Sequence, residues 1–185
     1  ATRAFSQKLN VLIEKPLAHT LDSAQRILER SRSSDQVFMI AENSQYLPEI
    51  LKVKDLLSEG IIGEIVTAKA SFRQAADKDI FNSYSVLHDD TPTKAWRYSL
   101  AATGGGITID GGAHWIRPLR FWFGEIRELF SKFSYPHPLM EGESLSQAIF
   151  TFDNSITAIF EGILTEKTMF SKDYPFRITG TSGEV

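Results

Sequence analysis

The sequence predicts an α/β fold in its first third and an α+β fold in the larger remainder. Residues 1–63 alternate helical periodicity with short continuous apolar runs, a pattern typical of buried parallel strands. From residue 64 onward, apolar and polar residues alternate in several segments, which indicates strands with one buried face. These patterns predict the end of a parallel sheet, followed by a mostly antiparallel open sheet with covering helices. We place the boundary after Gly63.

Three helices and two strands are predicted before this boundary. Thr20 is a good N-cap residue, and Pro48 suits a first helical position. Apolar residues recur at helical spacing after each of them, and Gly60 ends the second pattern. The predicted order is a helix up to Lys8, a strand at 11–13, a helix after Thr20, a strand at 37–41 and a helix from Pro48 towards Gly60.

The second part is predicted to consist of strands and one prominent helix. Asp153-Asn154 separates two alternating runs, which is a good hairpin signal. Residues 73–95 are polar and irregular, and connections of this length are usually functional or disordered. Pro118 can bend the helix or start a second one. The predicted elements are a strand at 66–72, a helix over 115–123 closed by Gly124, strands at 148–152 and 156–160, a strand at 176–179 and a turn at 180–183.

Composition excludes several classes of protein. The 185 residues include 20 Lys and Arg, 23 Asp and Glu and no cysteine, so the formal charge is −3 and no disulfide can form. Mild acidity disfavours nucleic-acid binding. The longest apolar-rich stretch, 115–123, is far shorter than the ~20 residues that span a bilayer, and no secretory signal opens the sequence. We therefore expect a cytoplasmic protein that binds neither membrane nor nucleic acid.

Five of the 12 glycines fall within the nine residues Gly104–Gly112. Glycine lets the chain approach a ligand or another backbone closely. The alternative is a tight turn before a helix, and the sequence leaves both interpretations open.

Asp110 and His114 stand four positions apart, so on a helix they share a face. A histidine beside a carboxylate is a usable general acid or base, since its reference pKa is near 6.5. A surface ion pair is the structural alternative. A metal site would need a further ligand, and no spaced cluster supplies one, so none is predicted.

Lys15 directly follows a predicted strand, where open α/β sheets bind their ligands. It is either a fixed cation for a ligand or an exposed loop lysine. Trp96-Arg97 precedes the glycines, and Arg97 can bind a phosphate or carboxylate. The alternative is a packed tryptophan with a solvent-facing arginine. Structural roles are predicted for His19, His88, His137, and for Arg117 and Arg120 on a helix with Trp115 and Trp122 that covers a sheet.

In combination these motifs resemble the Gfo/Idh/MocA oxidoreductase family, which includes glucose–fructose oxidoreductase and inositol dehydrogenase. The similarity spans essentially the whole chain. It is carried in order by Glu14-Lys15-Pro16, Tyr46-x-Pro48, the segment 60–65, Trp96-Arg97 and Gly104-Gly105-Gly106-x-x-x-Asp110-x-Gly112-x-His114.

The resemblance implies an oxidoreductase that uses NAD or NADP on a sugar, polyol or related alcohol. Residues 1–63 would be the last part of a Rossmann-type dinucleotide-binding domain, and 64–185 a substrate and dimerisation domain with an antiparallel sheet. The exposed face of that sheet would join two copies. The implied catalytic residues are Lys15, Asp110 and the proton acceptor His114, and the implied cofactor contacts are Glu14, Lys15, Pro16, Trp96 and Arg97.

Departures from the family pattern bear on activity. The phosphate-binding motif Gly-x-Gly-x-x-Gly occurs nowhere in the sequence. We therefore expect an incomplete dinucleotide domain, missing final strands after Val185, and no activity from this chain alone. Asn43-Ser44-Gln45-Tyr46 stands where many members have Arg after Asn, so a ligand contact is expected to differ. The alternative is a non-catalytic relative that serves ligand binding or dimerisation.

Overall fold

A computed structural model of the chain describes residues 1–75, 96–167 and 175–185. Within them the contacts form two compact units, Ala1–Glu42 and Asn43–Val185. Most of the predicted connection at 73–95, together with His88, lies outside the described residues.

The first unit contains two helices and a parallel pair of strands. Thr20 caps the second helix as predicted, because its Oγ1 accepts the Ser23 N–H at 3.2 Å. Phe5 is buried, and its ring meets Phe38 edge-on at 5.6 Å. The elements are α1 (Thr2–Ser6), β1 (Val11–Glu14), α2 (Leu21–Arg32) and β2 (Phe38–Ala41), with β1 and β2 in parallel register.

Both strands of this pair were expected to be buried on both faces, and this expectation is wrong for the chain as described. Leu12 is 69% exposed and Met39 43% exposed, whereas their neighbours along each strand are partly covered. A continuous apolar run does not reveal that only one face is covered within the unit.

The second unit is a five-stranded sheet with helices on one face. Its elements are α3 (Pro48–Ser58), β3 (Ile65–Ala75), α4 (Leu100–Thr103), α5 (Ala113–Phe123), β4 (Ile126–Ser134), β5 (Leu145–Phe152), β6 (Thr157–Thr165) and β7 (Phe176–Gly180), with short 3₁₀ turns at Ser44–Tyr46 and Trp96–Tyr98. Strand order is β4-β5-β6-β3-β7. Among the described residues only the β3–β6 pair is parallel, so the sheet is mostly antiparallel as predicted.

Helix α5 lies on the inner face of this sheet and closes its core. Leu119 is completely buried, and the Phe123 ring meets Phe152 at 5.5 Å. Trp115 stacks on Phe72 at 6.0 Å. Pro118 is accommodated within one continuous helix, which ends at Gly124 with φ +93°.

Two strand predictions need correction. The hairpin between β5 and β6 forms, but its loop includes Ser155, which takes the positive φ of 67° and donates its N–H to the Phe152 carbonyl. Edge strand β4 was not predicted as an individual element. Leu129 and Phe130, on opposite faces, are 64% and 73% exposed, so β4 lacks the alternation that marks a half-buried strand.

Helix α3 belongs by contact to the second unit. Val53 and Leu57 pack against the core of the sheet domain, and Ile50 accepts the Trp122 indole N–H through its carbonyl at 3.0 Å. The division by contacts therefore falls earlier in the chain than the change of sequence pattern at Gly63.

Candidate functional site

Lys15 lies immediately beyond the carboxyl end of β1, in the first unit. Glu14, the last residue of β1, pairs with Ala41 of β2, so the register of the two strands fixes where the chain leaves the sheet. Lys15 is partly buried, Glu14 and Pro16 are exposed, and the Lys15–Pro16 peptide bond is cis. This is the strand-end position predicted for a ligand-binding lysine.

The other predicted site residues belong to the second unit, and their segment is held by Glu143. The Glu143 carboxylate accepts the Gly106 N–H at 2.8 Å and the Thr108 N–H at 3.0 Å. Its backbone carbonyl accepts the N–H of Ile107 at 2.9 Å. A single residue thus accepts three consecutive backbone N–H groups, which would otherwise be unpaired at the start of a helical segment.

Two glycines make this approach possible. A Cβ at Gly106 would overlap the Glu143 backbone, with its carbonyl carbon only 2.7 Å away. A Cβ at Gly142 would lie 2.5 Å from the Gly106 nitrogen. The predicted close approach is therefore to another backbone rather than to a ligand. Because the N–H groups of residues 106–108 are occupied, this loop does not offer them to an anion.

Asp110 lies in a π-helical segment, Thr108–Gly112, which leads directly into α5. His114 lies in the first turn of α5, so the two residues do not share one regular α-helix as the spacing suggested. Such π-helical turns are frequent at functional sites. The segment presents Asp110 and His114 within one continuous stretch of backbone.

Asp110 forms an ion pair with Arg97. The Arg97 Nε donates to the Asp110 Oδ2 at 3.3 Å, and both side chains are about 30% exposed, at 29% and 30%. The guanidinium also lies over the Trp96 ring, 4.4 Å from its centroid, which is a cation–π geometry. Trp96 is 47% exposed, so the predicted alternative of a packed tryptophan beside a solvent-facing arginine is wrong.

Gln45 and Arg117 are contacts that the sequence did not reveal. The Arg117 Nε and Nη2 both donate to the Gln45 Oε1, the former at 2.7 Å. Gln45 lies in the segment where the resemblance leads us to expect a different ligand contact. Arg117 thus ties that segment to α5, three residues after His114.

Glu143 was also missed. It stands 37 positions from Gly106, and an isolated Glu between Gly142 and Ser144 carries no recognisable motif. Glu141 in the same loop accepts the Leu100 N–H at 2.8 Å. His137 is buried, stacks on Tyr98 at 5.2 Å and accepts the Leu139 N–H at 3.3 Å through Nδ1, in keeping with the structural role predicted for it.

Neither a metal-binding cluster nor a membrane-spanning helix occurs among the described residues. In residues 1–75, 96–167 and 175–185, no group of three or more His, Asp or Glu side chains is placed to hold a metal ion. Over the same part of the chain, no helix has the length and apolar character needed to cross a bilayer.

Comparison with known proteins identifies the family. The sequence profile of the GFO/IDH/MocA C-terminal domain matches residues 50–185. The chain belongs to the Gfo/Idh/MocA family. The match covers most of α3, the sheet, the glycine segment and α5, so it includes Asp110 and His114.

Curated relatives in this family include sugar dehydrogenases. The chain is 25% identical over 185 residues to D-apiose dehydrogenase of Rhizobium rhizogenes, covering 98% of this chain and 49% of that protein. It is 25% identical over 155 residues to D-xylose dehydrogenase of Paenarthrobacter nicotinovorans, covering 82% and 37%. The chain thus spans half or less of the length of these relatives.

Solved Gfo/Idh/MocA structures share the fold. An oxidoreductase from Thermotoga maritima superimposes with a TM-score of 0.82 at 26% identity, over 98% of this chain and 52% of that one. A levoglucosan dehydrogenase in complex with NADH and levoglucosan gives 0.79 at 23% identity, over 99% and 48%. These similarities confirm the predicted architecture of a mostly antiparallel sheet together with a small parallel one.

Proposed function

We propose that the complete gene product is an NAD(P)-dependent oxidoreductase that oxidises a secondary alcohol of a sugar or polyol. The observation that supports this proposal most strongly is the Asp110–His114 segment of a Gfo/Idh/MocA domain. In it the Arg97 Nε lies 3.3 Å from the Asp110 Oδ2. Relatives named as D-apiose and D-xylose dehydrogenases support a sugar as the substrate class.

In this proposal His114 takes the hydroxyl proton of the substrate. The Asp110 carboxylate orients the substrate and the imidazole, and the Lys15 ammonium stabilises negative charge developing on the same oxygen. The hydroxyl proton passes to His114, while the carbon–hydrogen bond breaks and its electron pair leaves as hydride. The nicotinamide ring, when bound, accepts that hydride.

Two features of the described residues support a dinucleotide cofactor. Lys15 stands at a strand end between Glu14 and Pro16, the position at which open α/β sheets bind their ligands. The exposed Trp96 ring, backed by Arg97, offers a flat surface near Asp110. We assign cofactor contacts to these five residues. The proposed cofactor is NAD or NADP.

Domain roles follow from the same proposal. Residues 1–63 supply the cofactor side, and residues 64–185 supply the substrate site and the contact between copies. The second candidate is a non-catalytic relative that binds a ligand or dimerises. Cofactor-dependent turnover by the complete gene product distinguishes the two.

The outer face of the sheet is the proposed contact between two copies. Phe130, Ile149 and Ile159 lie side by side on β4, β5 and β6, and each is at least half exposed, at 73%, 50% and 51%. Next to this row, Glu161 bonds Arg73 at 2.7 Å and Gln147 at 3.0 Å. An apolar row beside a polar network is a suitable composition for an interface with a second copy.

The proposed activity is tested by assaying the complete gene product on aldoses, polyols and anhydrosugars with NAD⁺ and with NADP⁺. We expect cofactor reduction with at least one sugar. His114→Ala in the same assay serves as the catalytic control. Failure to reduce either cofactor with any member of the panel would favour the non-catalytic relative.

A further inference from the structure

We propose that Glu143 is a positioning residue that acts through Asp110. The inference rests on the proposed function, because it assigns to Glu143 the placement of a carboxylate that the reaction uses. The hydrogen bonds that Glu143 accepts in this loop come from the backbone of residues 106–108 and not from Asp110 or His114. Its effect passes through the backbone of residues 106–108.

The sheet holds Glu143 in place. The next residue, Ser144, is completely buried and donates its N–H to the Ser134 carbonyl at 3.0 Å. The Ser144 carbonyl accepts the Leu164 N–H at 2.8 Å. Glu143 is therefore anchored at the start of β5, between β4 and β6, and is itself only 9% exposed. The side chain has little freedom to follow a moving loop.

From this anchor the carboxylate fixes the start of the π-helical segment. Its two oxygens bond the N–H groups of Gly106 and Thr108, and the intervening Ile107 N–H bonds the Glu143 carbonyl. These three bonds set both the position and the rotation of the segment's first turn. The Asp110 N–H then donates to the Gly106 carbonyl at 3.4 Å, so the backbone of Asp110 is bonded to the same turn.

His114 lies on helix α5, whereas Asp110 lies in the segment before that helix. Helix α5 is fixed on the sheet by Trp115, Leu119 and Phe123. Asp110 precedes this helix, in the segment that Glu143 holds. A change at Glu143 should therefore displace the Asp110 carboxylate more than His114.

Glu143→Gln keeps the size of the side chain but replaces one acceptor oxygen with an amide NH₂. One of the two backbone N–H groups then faces a donor, and that bond is lost. We expect kcat per folded molecule to fall between about 10-fold and 100-fold, since small misplacements of reacting groups cost rates of this order. KM for the cofactor should change less than about 2-fold, because the cofactor contacts assigned above do not include Glu143.

A double-variant cycle separates positioning from general destabilisation. In an Asp110→Asn background, Glu143→Gln should lower kcat by less than about 2-fold, because the group it positions is already altered. An equal loss in both backgrounds would overturn the proposal. Glu143→Asp keeps both acceptor oxygens on a shorter side chain, so its kcat should be partly recovered. It is the alternative variant if Glu143→Gln folds poorly. No recovery with a folded Glu143→Asp variant would also count against it.

The matched control is Glu184→Gln. Glu184 Oε2 also accepts one hydrogen bond, from Thr179 Oγ1 at 2.9 Å, and belongs to the same compact unit. This variant should retain the wild-type kcat. Folded fractions at the assay temperature, measured by circular dichroism, normalise every rate.

A spectroscopic measurement on the 185-residue chain does not depend on turnover. The ¹³C resonance of the Asp110 Cγ should move in Glu143→Gln and stay in place in Glu184→Gln. An unchanged resonance in both variants would contradict the positioning role. If the wild type is active and Asp110→Asn is not, a wild-type kcat in Glu143→Gln rejects this inference and leaves the proposed function intact. Absence of wild-type turnover rejects the proposed function, and the Asp110 resonance then still tests whether Glu143 places this carboxylate.

Discussion

Gly106 and Glu143 show how one backbone contact determines the identity of a residue. There is no room for a methyl group at position 106, because the Glu143 backbone occupies that space. The neighbouring Gly105 is different, since a Cβ there would meet only the Ile109 side chain at 3.0 Å. Packing therefore requires glycine at position 106 but not at position 105.

This difference gives a stability prediction for single residues. Gly106→Ala should lower the free energy of unfolding by about 2 kcal/mol or more, as expected when a group is forced into packed backbone. Gly105→Ala is the matched control and should cost less than about 1 kcal/mol, because the Ile109 side chain can move. Urea unfolding followed by tryptophan fluorescence measures both, and equal losses would refute the assigned contact.

The glycine cluster is visible in the sequence, but its contact partner, Glu143, is not. Glycine density and the Asp110–His114 spacing were visible locally, whereas the approach of Glu143 depends on folding across 37 positions. The same holds for Arg117 with Gln45, which are 72 positions apart. Local pattern reveals which residues need space or can carry chemistry, but not which distant groups will face them.

At the level of elements, the β-sheet separates an aromatic inner face from a mixed outer face. Alternation in β5 and β6 predicted their buried sides, and Phe150, Phe152 and Phe160 are indeed buried. Alternation could not predict edge strand β4, whose two faces are both open along part of its length. The helices were found more readily because Thr20, Pro48 and Gly124 mark their ends by local chemistry.

The outer face also contains a carboxylate that contributes to stability. Partial burial opposes ionisation of Glu161, but hydrogen bonds from Gln147 and Arg73 and the positive charges of Arg73 and Lys69 outweigh it, so its pKa is lowered below 4.5. A lowered carboxyl pKa stabilises the folded state above the unfolded pKa. That contribution is lost as the pH falls through the folded value.

Glu161→Gln should therefore lower Tm at neutral pH, and the difference from wild type should shrink as the pH falls below about 4.5. Glu128→Gln, on an exposed edge strand, is the control and should stay close to wild type throughout. Differential scanning calorimetry at fixed protein concentration measures both series. A Tm difference between Glu161→Gln and wild type that grows on acidification would contradict a lowered pKa for Glu161.

For the whole molecule, the sequence predicted the family and the order of most elements, but it did not predict how contacts divide the chain. The change of sequence pattern at Gly63 reflects a change from helical to strand periodicity. The contacts instead divide after Glu42, because Val53 and Leu57 of α3 pack on the sheet domain. Periodicity reports which face of an element is covered, and it does not report which part of the chain covers it.

Association of two copies is a property of the whole molecule that the outer face makes testable. We expect the wild-type protein to dimerise and Ile149→Lys to weaken the dimer by at least about 10-fold, since it places an unpaired charge in the apolar row. Leu129→Lys is the control, because Leu129 is 64% exposed on the other face of β4. Sedimentation equilibrium measures all three, and an Ile149→Lys dimer as tight as wild type would exclude this face.

The central claim, that His114 is the proton acceptor of an NAD(P)-dependent sugar oxidation, is tested most directly by His114→Ala in the complete gene product. We predict that kcat falls by about 10² to 10⁴, the usual contribution of a general base, while the Kd for NAD(P)H stays within about 3-fold of wild type. Steady-state kinetics with the sugar that wild type oxidises fastest, together with NAD(P)H fluorescence titration, provide both quantities. Wild-type turnover by a folded His114→Ala variant would contradict the account.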